Sequence, residues 1–189
     1  MRNLYVLGFT WSAACLTLLL APRSGEQTVS PPPPAAWSGP AAGWFAAAKP
    51  FCNALEVETR LQYAPPPEGW DGAGYGAACF ALAGRIDHAR ELIRRLPAGE
   101  RARAAGIVFQ IGHPVADAGD DRSAGPMMGL VLEFWPDNYM ALYHAGMSAY
   151  ALGRPGPAAE YLQRFLQRYR LDDGWTRNAR TVLARLGAG

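Results

Sequence analysis

The sequence predicts an all-α fold, about three helix pairs and a capping helix, behind a single N-terminal transmembrane helix. Small residues recurring at intervals of 35 and 34 predict the pairs, and apolar residues at helical spacing predict the helices. One long uncharged stretch predicts the span. The 189-residue chain is half hydrophobic by count, yet its net charge is only +2. That balance leaves no basic footprint for nucleic acid. Three cysteines exclude a disulfide-built miniprotein and a four-cysteine metal site.

Residues 4–21 (LYVLGFTWSAACLTLLLA) carry no charge and are flanked by Arg2 and Arg23. As a helix this stretch spans about 27 Å, close to the hydrocarbon thickness of a bilayer. Residues 1–21 therefore read as a signal-anchor that enters the lipid bilayer through residues 4–21. A cleaved leader and a lipoprotein processed at Cys15 are the alternatives; Pro22 after Ala21, and the absence of a leucine three residues before Cys15, count against them. Arg2 and the α-amino group favour an N-terminus inside and the bulk of the chain exported to the periplasmic side. Residues 22–42 hold Pro31 to Pro34 among scattered Ser and Gly, and read as a polyproline-rich tether.

Residues 43–189 contain the internal spacing. Gly84, Gly119 and Gly153 lie 35 and 34 residues apart, and Ala89, Ala124 and Ala158 follow each of them by five. Ala77, Gly112 and Gly146 stand seven residues before those glycines. The arrangement resembles the tetratricopeptide repeat, which implies two antiparallel helices per unit, a small residue where they touch, a Gly at the turn and an Ala in the second helix. The consensus Trp and Tyr are largely missing. Residues 51–63 read as a second helix of a partial unit, ending before Pro65-Pro66-Pro67. Next come GYGAACFALAG, the turn RID and HARELIRRL, with Asp87 as the expected N-cap and Ala89, Leu92, Ile93 and Leu96 as the buried stripe. The middle unit is expected to break at Pro114: a first helix from about Ala104 ending near His113, a loop through Asp121, then a helix from Ser123 to Phe134. The last unit, Tyr139 to Asp172, pairs YMALYHAGMSAYAL with AAEYLQRFLQRYR, and Gly174 to Leu186 caps the stack after Asp172 or Asp173.

Repeat register makes Cys52 and Cys79 neighbours, on the second helix of one unit and the first helix of the next. An oxidising compartment would join them; in a reducing one they are two small buried side chains. The groove implied by the resemblance is lined in the last unit by Met140, Tyr143, Met147 and Tyr150, whose spacing places them on one helical face. Two Met and two Tyr make an adaptable apolar surface for a protein partner, or else pack as core. Arg90, Arg94, Arg95, Arg164 and Arg168 read as a solvated face.

Catalytic signatures are absent from the sequence: no GxSxG, no Walker lysine, no HExxH and no CxxCH. Gly72 to Ala78 (GAGYGAA) has the wrong spacing for a phosphate loop and reads as a point of close helix approach. No cofactor is expected. One loop does gather chemistry: His113, Asp117, Asp120 and Asp121 fall within nine residues, a set that suits a divalent cation but also ordinary turns and caps. The expectation is a non-catalytic, membrane-anchored interaction scaffold, an accessory or assembly subunit of a membrane complex whose partners are proteins at the membrane. The alternative is a tethered metal-dependent module or enzyme built on residues 113–121.

Overall fold

A computed structural model describes residues 39–187. The expected span at residues 4–21 and most of the tether lie outside them. Among the described residues the chain is all helical, and no helix is long and apolar enough to cross a membrane.

The domain begins earlier than residue 43. Helix α1 (Pro40–Ala48) starts on a proline whose fixed φ suits the first helical position, and it continues through alanines that lose little entropy in a helix. Its Phe45 is buried and stacks on Tyr75 at 5.1 Å, while the Trp44 indole N–H donates to the Ala64 carbonyl at 2.9 Å. The expected helix over 51–63 forms only as α2 (Val57–Tyr63). Asn53 breaks it, because its Oδ1 accepts from the backbone N–H groups of Leu55 and Glu56 and holds a turn there. Cys52, just outside a short 3₁₀ turn (Lys49–Phe51), is bonded to Cys79, with Cα atoms 4.8 Å apart.

Three helix hairpins follow: α3 (Trp70–Leu82) with α4 (Ile86–Arg94), α5 (Ala98–Asp117) with α6 (Asp121–Phe134), and α7 (Tyr139–Ala151) with α8 (Pro155–Arg168). Each turns on a glycine in the left-handed region, with φ of 73° at Gly84, 89° at Gly119 and 66° at Gly153. Each glycine N–H returns to the carbonyl three residues back, and the next N–H to the one five back: Arg85 to Phe80, Asp120 to Val115, Arg154 to Ala149. This is the Schellman closure, which satisfies carbonyls the helix end would otherwise leave open. Just beyond each turn Ala89, Ala124 and Ala158 are fully buried. A Cβ on Gly146 would stand 2.7 Å from Leu162 of α8, and one on Gly112 would stand 3.0 Å from the terminal methyls of Met127 and Met128 of α6. The hairpins close only because those positions are small.

Between hairpins the packing is not uniform. α5 lies chiefly against α3, whereas α7 lies against α6. The small stripe on α3 explains the first contact: Gly74 faces Ala104 and Ile107 of α5, and Gly76 faces Pro66 and Leu92. Gly72 to Ala78 is thus helix interior at a close approach. Arginines on the second helices bind neighbouring residues. Arg90 donates to both Glu133 oxygens and pairs with Asp87, and the Glu133 hydrogen bonds hold its pKa well above the usual arginine value. Arg164 donates to the Pro136 carbonyl, and Arg168 pairs with Asp137 at 2.6 Å. Asp87 lies inside the first turn of α4, where Arg85 occupies the cap position without a side-chain bond.

The final helix, α9 (Gly174–Gly187), is started by Asp173, whose Oδ1 accepts from the N–H groups of Trp175 and Thr176 at 2.9 and 3.2 Å. Thr176 Oγ1 accepts in return from the Asp173 N–H. Replacing Asp173 with alanine is expected to cost about 1 kcal/mol and to speed amide exchange in the first turn of α9. Exchange mass spectrometry showing no faster exchange there would contradict this.

Candidate functional site

Among the described residues, a group of titratable side chains forms where α5, α6 and α7 meet. It exists because α5 does not stop at His113 as the sequence predicts. Pro114 stands inside the helix, whose last hydrogen bonds close normally onto the carbonyls of Pro114 and Ala116. The missing Pro114 N–H costs about 3 kcal/mol in a helix interior. Tertiary burial opposes that cost, since Ala116 and Gly112 on the last turns are buried and Gly112 lies against α6. Continuing the helix sets His113 and Asp117 one turn apart on one face, with Nε2 of the imidazole 3.5 Å from Oδ1 of the carboxylate.

The next two aspartates diverge. Asp120 is the N-cap of α6: its Oδ1 accepts from the Ser123 N–H at 3.0 Å, and hydrogen bonding from the Ser123 side chain, then from this N–H, holds its carboxyl below the usual range. Capping points it away from any ligand role, so the expected four-residue set loses this member. Asp121, in the first turn of α6, reaches across to α7, where its Oδ1 lies 2.9 Å from Nδ1 of His144.

His144 was not part of the set expected from the sequence, and it completes the cluster. Its side chain is 2% exposed, and its Nε2 stands 3.5 Å from the same Asp117 oxygen that faces His113. A clue was present in the sequence. His113 and His144 are 31 residues apart, one helical turn short of the 34-residue offset between Gly119 and Gly153. Such spacing puts one imidazole on each of two first helices, on matching faces. The ligand atoms of His113, Asp117 and His144 all lie within 4.8 Å of one another. Aromatic rings enclose them: Phe109 stacks on His113 at 4.7 Å, and Tyr143 and Trp175 meet His144 edge-on at 5.2 and 5.7 Å. Burial pushes the His113 pKa below the usual histidine value, with Asp117 acting against that shift and His144 adding to it. The third histidine, His88, stacks on Phe80 and is not a member.

The expected groove is partly filled. Met140, Met147 and Tyr150 are half-buried on α7, but Tyr143 is only 5% exposed. Its hydroxyl accepts a hydrogen bond from the Asn178 amide of α9 at 2.6 Å, its ring packs on Phe165 and Trp175, and burial raises its pKa. The same amide reaches Met147 Sδ at 3.8 Å. The capping helix therefore occupies the face at Tyr143, which removes that residue from any contact surface. Trp70 lies under Arg103, whose guanidinium is 4.0 Å from the ring centroid, and Trp135 is an exposed rim residue edge-on to Phe109. Comparison of the chain with protein-family models, with curated proteins and with solved structures yields no match.

Proposed function

We propose that the chain is a membrane-tethered, exported helical-repeat module of tetratricopeptide type, which holds a protein partner at the membrane as an accessory or assembly subunit of a larger complex. The observation that carries this reading is the repeated hairpin closure: three glycines, 35 and 34 residues apart, in one conformation with one hydrogen-bonding pattern. Identical turns at fixed spacing suit a stack whose units bury one another's faces and leave one long surface for a partner. Apolar side chains at that surface are Met140, Met147 and Tyr150 on α7, with Trp135 exposed at the rim. The Cys52–Cys79 bond favours an oxidising compartment and so supports export, and the uncharged stretch at residues 4–21 supports the tether.

Site-specific photocrosslinking in the native membrane tests the reading. A crosslinker in place of Tyr150 is expected to capture one defined protein, and one in place of Gln163 on the wet side of α8 is expected to capture none. Equal capture at both positions, or at neither, would end the proposal. Protease added from the exported side should degrade the repeat domain, and protection there would reverse the orientation.

A further inference from the structure

We propose that His113, Asp117 and His144 bind one divalent transition-metal ion of the zinc class, with Asp121 orienting His144 from behind and the fourth position open to water. The site goes beyond the scaffold reading and does not depend on it.

The geometry around His144 carries the argument. Its Nδ1 lies 2.9 Å from Asp121, and an ionised carboxylate only accepts, so Nδ1 bears the proton. In the neutral ring Nε2 is then a bare lone pair, held with 2% of the side chain exposed and aimed at a carboxylate oxygen 3.5 Å away. Neither this Nε2 nor that of His113 has a hydrogen-bond partner, although both are buried. Two imidazole nitrogens and a carboxylate oxygen converge here within 4.8 Å of one another, and a cation among them would satisfy all three.

The spacing suits a metal. With metal–ligand bonds of about 2.0–2.1 Å, tetrahedral ligands stand about 3.4 Å apart. Asp117 Oδ1 is 3.5 Å from each imidazole Nε2, so two of the three ligand–ligand edges are near that value. Two imidazoles and one carboxylate select zinc-class ions, because magnesium and calcium require oxygen-rich shells. The Asp121–His144 contact is the carboxylate–histidine pairing that sets tautomer and ring orientation behind a metal ligand. Asp117 is 43% exposed, which leaves an approach from solvent.

Cobalt titration of the untagged full chain, stripped with chelator and desalted, tests the site. One equivalent of Co²⁺ should give visible d–d absorption of the tetrahedral kind, which Zn²⁺ then abolishes. Zn²⁺ at a hundredfold its Kd should raise the melting temperature by about 5–10 °C, since it binds only the folded chain. Mg²⁺ should leave the melting temperature unchanged. His144→Ala disturbs a buried position, so the decisive variants are His113→Ala and Asp117→Asn, at side chains 26% and 43% exposed. Each should weaken cobalt binding more than a hundredfold while the far-ultraviolet spectrum stays native. Asp121→Asn should weaken it about 10–100-fold. Asp120→Ala, at the cap, should not weaken it. Absence of the absorption band in the wild type, or binding unchanged in both His113→Ala and Asp117→Asn, overturns the proposal.

Discussion

Loss of the Cys52–Cys79 bond, by Cys52→Ala with Cys79→Ala, is expected to destabilise the domain by about 3.6 kcal/mol. The bond closes a loop across a sequence separation of 27. In the chain-entropy account such a loop restricts the unfolded chain by that amount at room temperature. Native packing adds little to offset the loss. The residues the bond ties down are a nine-residue helix, a 3₁₀ turn and a seven-residue helix, each too short to be stable alone. Their contact with the rest of the domain runs almost entirely through α3. A drop of about 10 °C in melting temperature follows from the usual entropy of unfolding at this size. Dithiothreitol should lower the wild-type melting temperature by the same amount and leave the double variant untouched. Because Cys79 is fully buried, reduction should require opening of α1 and α2 first. A wild-type melt insensitive to reductant would show that the bond contributes nothing.

The hairpins were legible in the sequence wherever the backbone demands a particular residue. A Schellman turn needs φ near +70°, which costs little only for glycine, so Gly84, Gly119 and Gly153 mark the turns directly. Ala89, Ala124 and Ala158 are legible for a related reason, since only a small side chain fits where the paired helices touch. Elements whose stability comes from tertiary contact were not legible. α1 is mostly alanine and lacks an amphipathic stripe, so nothing but its contact with α3 marks it as part of the domain. Pro114 signals a local helix end, whereas the gain from carrying α5 onward lies in α6 and α7. Asp87 has the right chemistry for a cap, but α4 starts two residues too early to use it. The candidate site divides the same way. His113 and Asp117 share a face once the helix is known to continue, while His144 joins them from another hairpin. Tyr143 has groove spacing, yet a helix 35 residues later covers it.

Gly74→Leu is expected to destabilise the helical stack by about 3 kcal/mol. A Cβ at this position would stand 2.8 Å from Ile107 Cδ1, 3.0 Å from the Ala104 carbonyl oxygen and 3.2 Å from Ala104 Cα. Two of those atoms are backbone, so no rotamer change relieves the clash and α3 must separate from α5. The buried face it would open includes Ala104, Ala105, Ile107 and Val108. Intrinsic helix propensity acts in the opposite direction, because glycine inside a helix costs about 1 kcal/mol relative to alanine. Gly129, in the interior of α6, gives the control: a Cβ there meets nothing within 4 Å. Gly129→Ala should therefore stabilise by close to that amount, while the same change at Gly74 should destabilise. The opposite signs separate packing from propensity in a single pair of urea titrations. Both midpoints should move without a change in slope, since the surface exposed on unfolding stays the same. Because α5 also carries His113 and Asp117, Gly74→Leu should weaken cobalt binding even where the protein remains folded. Equal stabilisation by alanine at both glycines would mean that α3 and α5 are not in close contact, and the order of packing from α3 through α5 to the His113–Asp117–His144 cluster would have to be redrawn.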